Sequence, residues 1–548
     1  MKKQGFLDGA LVATIGIVIC KIIGVLYVIP FYAIIGTKGA TLYGYAYSIY
    51  AIFLTLSSNG IPIAISKVVS EYNSLEYYNT KERSYKIGRK IIVGLGILSA
   101  LILIIFAPNV AYLIIGDIEG GVTIDEISNV IRIIATALLI VPLFSVTKGY
   151  LQGHKYISVT SISGIIEQLV RVVVLLLGSY LALKVFNLSI DTAVGIAVFG
   201  ATIGAIVAYF YLFDKIKKNK AKLKVDEPIT REEAKITNHV LIKKILFYAI
   251  PFIVIDLVRS AYSMIDIFTV VKNLVGLGMP ISEAETVIRV ISTWGGKLNM
   301  IVISIALGLT ISLIPNIASS FIKKDIKDVS HKINQSIQSL LVIILPMVIG
   351  LFMLAGPVWT IFYGYDKLSI DVYQFYVLQT ITFSFYSIFI DIAQTMNDSK
   401  LSLGTLGASF LLKMFLNVPM MNLFDKIGLN AMYAPIVTTL IVQVLAVLFI
   451  MIVLKKKYKI EYTGTFKNVF KTVLCSLVML ASLLILNLFY PIVVSSRWMS
   501  MLQVLVYALL GVIVYGFITY SSGLLDDIFG KKFIDNILIK LHLKKDIK

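Results

Sequence analysis

Residues 10–72 read ALVATIGIVICKIIGVLYVIPFYAIIGTKGATLYGYAYSIYAIFLTLSSNGIPIAISKVVSEY. Two apolar segments flank a short Gly-rich turn. The first is long enough to span the ~30 Å hydrocarbon core of a bilayer at about 1.5 Å per helical residue. Lys21 sits near the middle of that segment. A lysine at mid-depth costs about 2.5–3.5 kcal/mol on insertion scales, so it should face protein or water and not lipid. The rest of the chain reads as further helices assembled around such buried polar positions.

The 548 residues are 58% apolar, with a mean hydropathy of +0.88. Soluble domains average about 45–50% apolar, so the composition predicts an all-α polytopic membrane protein. Fourteen apolar blocks are long enough to span: 8–36, 42–66, 91–115, 129–147, 158–183, 192–213, 245–271, 286–317, 335–362, 372–395, 402–422, 431–454, 471–490 and 500–521. The start, MKKQ, is basic, but the apolar run behind it is too long for a cleaved signal and lacks an Ala-x-Ala-like exit, so it is expected to be retained as a helix. Cys20 and Cys475 lie in separate apolar blocks and read as small packing residues, not as a disulfide or metal ligands.

The net charge of +19 falls mostly in alternate loops. Lys2 and Lys3 precede the first block, Lys81 to Lys90 follow the second, and Lys148 and Lys155 follow the fourth. Basic residues again follow the sixth, eighth, tenth, twelfth and last blocks. The loop after the third block instead carries Asp117, Glu119, Asp125 and Glu126. This alternation places both termini in the cytoplasm. It accounts for the charge without nucleic acid, for which no motif is present. The one long polar stretch, 214–244, is expected as a solvated basic linker between residues 1–213 and 245–454. Residues 455–521 hold the last two spans. The tail, 522–548, has Phe529, Phe533, Ile537 and Leu541 at helical spacing and reads as an amphipathic surface helix.

Further cations lie deep in the blocks: Arg171 in the fifth, Arg259 in the seventh, Lys297 in the eighth and Lys413 in the eleventh. With Lys21, five such groups facing lipid would cost on the order of 12–17 kcal/mol. A hydrated cavity that receives an anionic group, such as the phosphate or pyrophosphate of a lipid-linked sugar, explains them, because Arg and Lys both donate to phosphate oxygens. Internal pairing competes with this for Arg171, which has Glu167 four residues earlier, and for Arg259, which has Asp256 three residues earlier. Asp256, Asp266 and Asp391 are also candidates to hold a coupling Na+ or H+. The pairs Gln152 with Gln394 and Arg171 with Lys413 share one sequence offset, which suggests two parallel repeats. Gly60, Pro62, Gly308 and Pro315 are candidate bending points. The four histidines lie in loops or the tail without ligand spacing, and no P-loop is present. Neither an enzyme, nor a metal centre, nor an ATP-driven pump is expected.

CKIIGVLYVIP, followed by LYGYAYSIYAIFLTLSSNGIPIAISKVVSEY, resembles the polysaccharide-biosynthesis and stage V sporulation protein B branch of the MOP exporter superfamily, which includes the MurJ-type lipid II flippases. The resemblance extends over essentially the whole chain. It implies two six-helix lobes in a V around a central cavity, with the last two helices bordering a lipid-tail groove. It also implies cavity-facing cations in helices one, two and eight. Lys21, in CKIIG, and Lys297, in WGGKLNM, fall at two of those positions. The chain departs at others, with Tyr27, Leu54 and Thr55 where the branch has arginines and Gly296 where it has an acidic residue.

The expectation is therefore a plasma-membrane flippase, monomeric, that exports a lipid-linked pyrophosphate oligosaccharide by alternating access. Peptidoglycan precursor is the favoured cargo and another cell-wall or capsule glycan lipid the second. Membrane potential alone can drive it, since outward movement of one negative charge gains about 2.3 kcal/mol per 100 mV. A MATE-like drug/cation antiporter would instead favour twelve spans and an acidic cavity. A membrane glycosyltransferase would need a sizeable extracytoplasmic loop with clustered carboxylates.

Overall fold

The computed structural model describes residues 16, 19, 20, 23, 24, 26–58, 60–118, 120–223, 228–396, 398–462, 464–494 and 496–531, with backbone alone at 221, 222, 251, 305–316, 319 and 322. Among these residues the chain is helical with no strand. Eleven helical stretches are long and apolar enough to cross a membrane. That composition dictates helices: in hydrocarbon a backbone must satisfy its own N–H and C=O groups. Lys21 and the tail beyond 531 lie outside the described residues. The apolar side chains on the outer faces, such as Phe210, Phe415, Val512 and Phe517, are exposed as lipid-facing positions should be.

By contacts the chain falls into two compact units, Met1–Ser292 and Thr293–Lys548. The first begins with α1, Val28–Ser58. Its helical path breaks at Gly36, whose φ of 65° a residue with a side chain rarely adopts. The break falls where the sequence placed the turn between the first two blocks. There follow α2, Gly60–Ser74, α3, Tyr78–Ile115, α4, Ile124–Ala135, and α5, Ala137–Gly153. Thr123 and Glu126 close a capping box at the start of α4. The unit continues with α6, Ile157–Tyr180, α7, Ile190–Lys218, two single-turn helices α8, Lys220–Leu223, and α9, Arg231–Ala234, then α10, Asn238–Gly276, and α11, Ile281–Arg289.

Glycines set the close approaches. A Cβ on Gly60 would stand 2.6 Å from the Ala249 carbonyl oxygen, and one on Gly149 would stand 2.4 Å from that of Pro62. So α2 lies tightly against both α10 and α5. The role of Gly60 visible in the structure is contact, where the sequence suggested bending.

The stretch 214–244 differs from the expected linker. Lys217, Lys218 and Lys220 are exposed, as on a solvated face. The remainder is strapped to the α2–α3 turn. Lys81, 1% exposed, donates to the Leu223 carbonyl at 2.8 Å. The buried Glu233 accepts from the Thr80 N–H at 2.7 Å, and Arg83 donates to the Ile236 carbonyl and to Asn238. Lys244 pairs with Glu71 at 2.6 Å. Hydrophobic periodicity does not report such polar docking, because each partner is more than a hundred residues away in sequence.

The second unit holds α12, Gly295–Ile322, α13, Ile326–Met353, α14, Ala355–Tyr363, α15, Lys367–Tyr376, α16, Gln379–Thr395, α17, Ser399–Lys426, α18, Ala434–Tyr458, α19, Thr465–Phe489, α20, Arg497–Ser521, and α21, Leu524–Phe529. Polar contacts join neighbours, as is common between membrane helices. Gln338 donates to Thr465 and accepts from Asn468, and Tyr515 donates to the Val342 carbonyl at 2.7 Å. The described start of the tail is docked: Leu524 and Ile528 pack with Val342 and Cys475. Phe533, Ile537 and Leu541 lie outside the described residues.

Candidate functional site

In the first unit the candidate cation Arg171 lies on α6, half-buried. Its position is fixed by α7, where Gly200 and Gly204 form a Gly-x-x-x-Gly pair. A Cβ on Gly204 would come within 2.6 Å of the Glu167 carbonyl oxygen, and one on Gly200 within 2.9 Å of that of Arg171. The two backbones are therefore pressed together at the turn that carries the arginine.

The Arg171 guanidinium carbon lies 5.3 Å from the centre of the Tyr47 ring. That ring is stacked on Tyr43 at 5.5 Å with an interplanar angle of 10°. Tyr43 in turn meets Phe31 edge-on at 5.2 Å, and Phe31 lies 6.2 Å from Tyr27. Among the described residues no ion pair joins Arg171 to Glu167. A guanidinium over an aromatic face keeps its edge donors available, because the ring attracts the plane and leaves the N–H groups pointing outward. The aromatic run at the start of the second block was legible as tyrosines. Their convergence on Arg171 was not.

Two positions where the resembling branch carries arginine are neutral and occupied by packing. Tyr27 is part of the aromatic row. Thr55 is buried, donates to the Ala51 carbonyl at 2.8 Å, and lies 3.2 Å from the Ser260 hydroxyl on α10. Arg259, next along α10, is exposed, while Asp256 and Asp266 on the same helix are half-buried.

In the second unit Lys297 follows a π-helical turn, Val290–Trp294. Such turns recur at functional sites because they re-aim the side chains that follow. The Lys297 ammonium lies 4.3 Å from the centre of the Trp294 ring. Trp294 is itself held by Tyr363, whose hydroxyl donates to the Trp294 carbonyl at 2.8 Å and whose ring meets it edge-on at 5.5 Å. Lys413 on α17 is 1% exposed. Asp391 on α16 is half-buried, and its carbonyl accepts from the Thr395 hydroxyl. Of the sequence candidates, then, Arg171, Arg259, Asp256 and Asp266 belong to the first unit, and Lys297, Lys413 and Asp391 to the second.

One polar cluster was missed. Glu285, 7% exposed, accepts from the Val122 N–H at 2.8 Å. Four residues on, Arg289 donates to the Thr37 carbonyl at 3.4 Å and to the Thr286 hydroxyl at 3.1 Å. Lys38 and Glu126 pair beside them at 2.7 Å. Together these bonds tie the Gly36 turn, the α3–α4 loop and α11. Burial holds the Glu285 carboxyl above the usual carboxylate range, against the Val122 N–H and Arg289, which pull it down. The signal was the i, i+4 spacing of Glu285 and Arg289 in SEAETVIR.

A family model described as polysaccharide biosynthesis protein matches residues 6–281. The chain is 31% identical over 534 residues to the lipid II flippase MurJ of Bacillus subtilis (strain 168), covering 96% of this chain and 97% of that protein. Among solved structures, a lipid II flippase MurJ in an inward closed conformation superposes with a TM-score of 0.66 at 14% identity, covering 96% of this chain and all of that one. An inward-facing multidrug resistance MATE family transporter of the MOP superfamily gives 0.63 at 13%, covering 82% and 99%. At these identities the two structures bear on the fold alone.

Proposed function

The chain belongs to the polysaccharide biosynthesis protein family, and from that membership we propose that it is a flippase exporting lipid II from the inner to the outer leaflet of a bacterial plasma membrane. The observation that carries this is the end-to-end match to a lipid II flippase, at 31% identity over 97% of that protein's length.

The chemistry asked of the protein is physical and not covalent. A pyrophosphate headgroup must cross a region where an unpaired charge is prohibitive. Cationic donors replace the water it leaves behind. We assign that role to Lys21, Arg171, Arg259, Lys297 and Lys413. Arg171 on its tyrosine shelf and Lys297 beside Trp294 are the two whose surroundings support it best, since an aromatic face holds a cation in place without neutralising it. The proposed architecture is fourteen spans, two six-helix lobes and two further helices, with both termini cytoplasmic. Alternating access is driven by membrane potential or by a coupling ion at Asp256, Asp266 or Asp391.

A second cargo, another glycan lipid on a pyrophosphate carrier, is favoured by one observation. Tyr27, Leu54, Thr55 and Gly296 stand where the resembling branch carries charge. The anion-binding set is thus thinned, and the discriminating contacts differ.

The test is labelled lipid II in cells depleted of their own flippase. Expression of this chain is expected to restore outer-leaflet lipid II and growth. A folded, membrane-inserted protein that restores neither overturns lipid II as cargo, and the same assay with an undecaprenyl-linked capsule precursor then examines the second.

A further inference from the structure

The second unit holds a small pocket away from every candidate cation above. It lies at the N-terminal end of α13 and is lined by Ile326, Lys327, Ser330, His331, Asn334, Lys459 and Glu461. Its volume is about 280 Å³, below the usual range of roughly 300–1,000 Å³ for drug-sized ligands and suited to a headgroup.

We propose that this pocket binds a phosphate group carried together with hydroxyls, as on the glycerophosphate headgroup of an anionic membrane lipid. The pocket is built and not incidental. The chain leaving α18 turns at Lys459, which adopts φ 57°, and is then pinned to α13 by two bonds. The Glu461 N–H donates to the Ser330 hydroxyl at 3.3 Å, and its carbonyl accepts from the Asn334 side chain at 2.8 Å. Lys327 and Lys459 are thereby brought from two segments to one opening, with His331 between them and one carboxylate, Glu461, against them.

The nearest other acids are already committed. Asp328 pairs with Lys332 at 2.7 Å, and Asp325 caps the helix by accepting from the Asp328 N–H at 3.0 Å. The first turn of α13 adds its own partial positive charge toward the pocket. These features select an anion.

The hydroxyl requirement comes from Asn334. It is 8% exposed, its nitrogen is spent on Glu461, and its Oδ1 has no hydrogen-bond partner. A buried acceptor of that kind is satisfied by a donor, which a headgroup hydroxyl supplies and a bare phosphodiester does not. The lipid source is favoured by what lies beyond the strand: Phe466 is 82% exposed and Phe470 57%, both on the adjoining start of α19 where acyl chains would run. Basic pockets between membrane helices on the cytoplasmic side are recurrent sites for anionic headgroups, and the proposed orientation puts this one on that side.

The experiment uses the purified full-length chain in detergent, with bound lipid read by native mass spectrometry. Phosphatidylglycerol and phosphatidylcholine are offered in equal amount. The parent should retain phosphatidylglycerol in about tenfold preference, and Lys327→Gln/Lys459→Gln should lose the preference. Lys323→Gln/Lys324→Gln, which removes the same charge just outside the pocket, should keep it. A parallel arm follows thermal stability against inorganic phosphate. Stabilisation of the parent but not of the pocket variant by phosphate, without a lipid preference, assigns the same site to a soluble phosphate. A pocket variant that behaves as the parent in both arms, or a control variant that loses as much, overturns the site.

Discussion

The guanidinium of Arg171 lies over the ring of Tyr47, while Glu167, one helical turn away, forms no ion pair with it. A buried arginine neutralised by its own helix would be structural. One held by a ring retains both its charge and its hydrogen-bonding edge, which is what a phosphate-bearing passenger needs.

Arg171→Ala is therefore expected to lower lipid II export at least tenfold, with the protein still inserted at parental levels. Arg171→Lys should recover part of it, because the charge returns without the planar fork. Glu167→Gln should leave export near that of the parent. Flipping measured in flippase-depleted cells decides this, and strong loss in Glu167→Gln would return Arg171 to a structural pair.

Lys297 and Trp294 make the corresponding test in the second unit. Lys297→Gln is expected to cut export severalfold. Trp294→Leu should both weaken export and lower thermal stability by about 3–5 kcal/mol, since a fully buried indole is lost. Export and melting are scored on the same preparations. Parental export by Lys297→Gln removes it from the anion path.

Gly204 is expected to tolerate nothing larger. Gly204→Val places a Cβ 2.6 Å from the Glu167 carbonyl oxygen and should cost about 1–3 kcal/mol by overpacking. Thermal unfolding in detergent measures it. Gly404→Ala, where a Cβ meets nothing within 4 Å, serves as the neutral control.

Asp398 should govern acid stability of the second unit. It sits between α16 and α17 and accepts from Lys457 at 2.6 Å, Tyr458 at 2.9 Å and the Leu401 N–H at 3.2 Å. Desolvation raises its pKa, but these bonds win and hold it below the usual carboxylate value of 3.8. A depressed carboxylate contributes stability that is complete above the unfolded value and lost as pH falls through the folded one. Its contribution should thus persist at pH 5 and fade below about 3.8. Asp398→Asn is expected to lose about 1.5–3 kcal/mol near neutrality, with parent and variant converging in strong acid. Melting temperature against pH is the readout.

The Glu285 tie is expected to behave in the opposite sense. Burial favours its neutral form, so its ionisation works against the fold as pH rises through the raised value. Gly121→Ala would press a Cβ to 2.2 Å from the Glu285 carboxylate and should open the contact between the α3–α4 loop and α11. Hydrogen exchange at Val122 reports it, and unchanged protection there would show that the loop is held by something else.

Much of this was legible in the chain. The long apolar blocks set helices and their approximate ends, because lipid leaves the backbone no other partner. The Gly36 turn and the capping box at Thr123 were local and readable. The alternating lysines gave an orientation by a rule about translocation, not about folding. Sequence spacing also found Arg171 and Lys297, since charges in apolar runs stand out.

What spacing cannot supply is which partner a buried charge meets. Glu167 is four residues from Arg171 and Tyr47 is more than a hundred, yet the ring holds the guanidinium. Lys81 and Glu233 read as ordinary loop charges and are buried fasteners for the 214–244 strap. Composition and periodicity by themselves determined that the chain is a bundle of membrane helices with stranded cations, because insertion cost depends on residue type and depth. The tertiary structure alone decided whether each cation is paired, shelved on a ring or used as a fastener, because that depends on helix–helix distances fixed by residues such as Gly200 and Gly204.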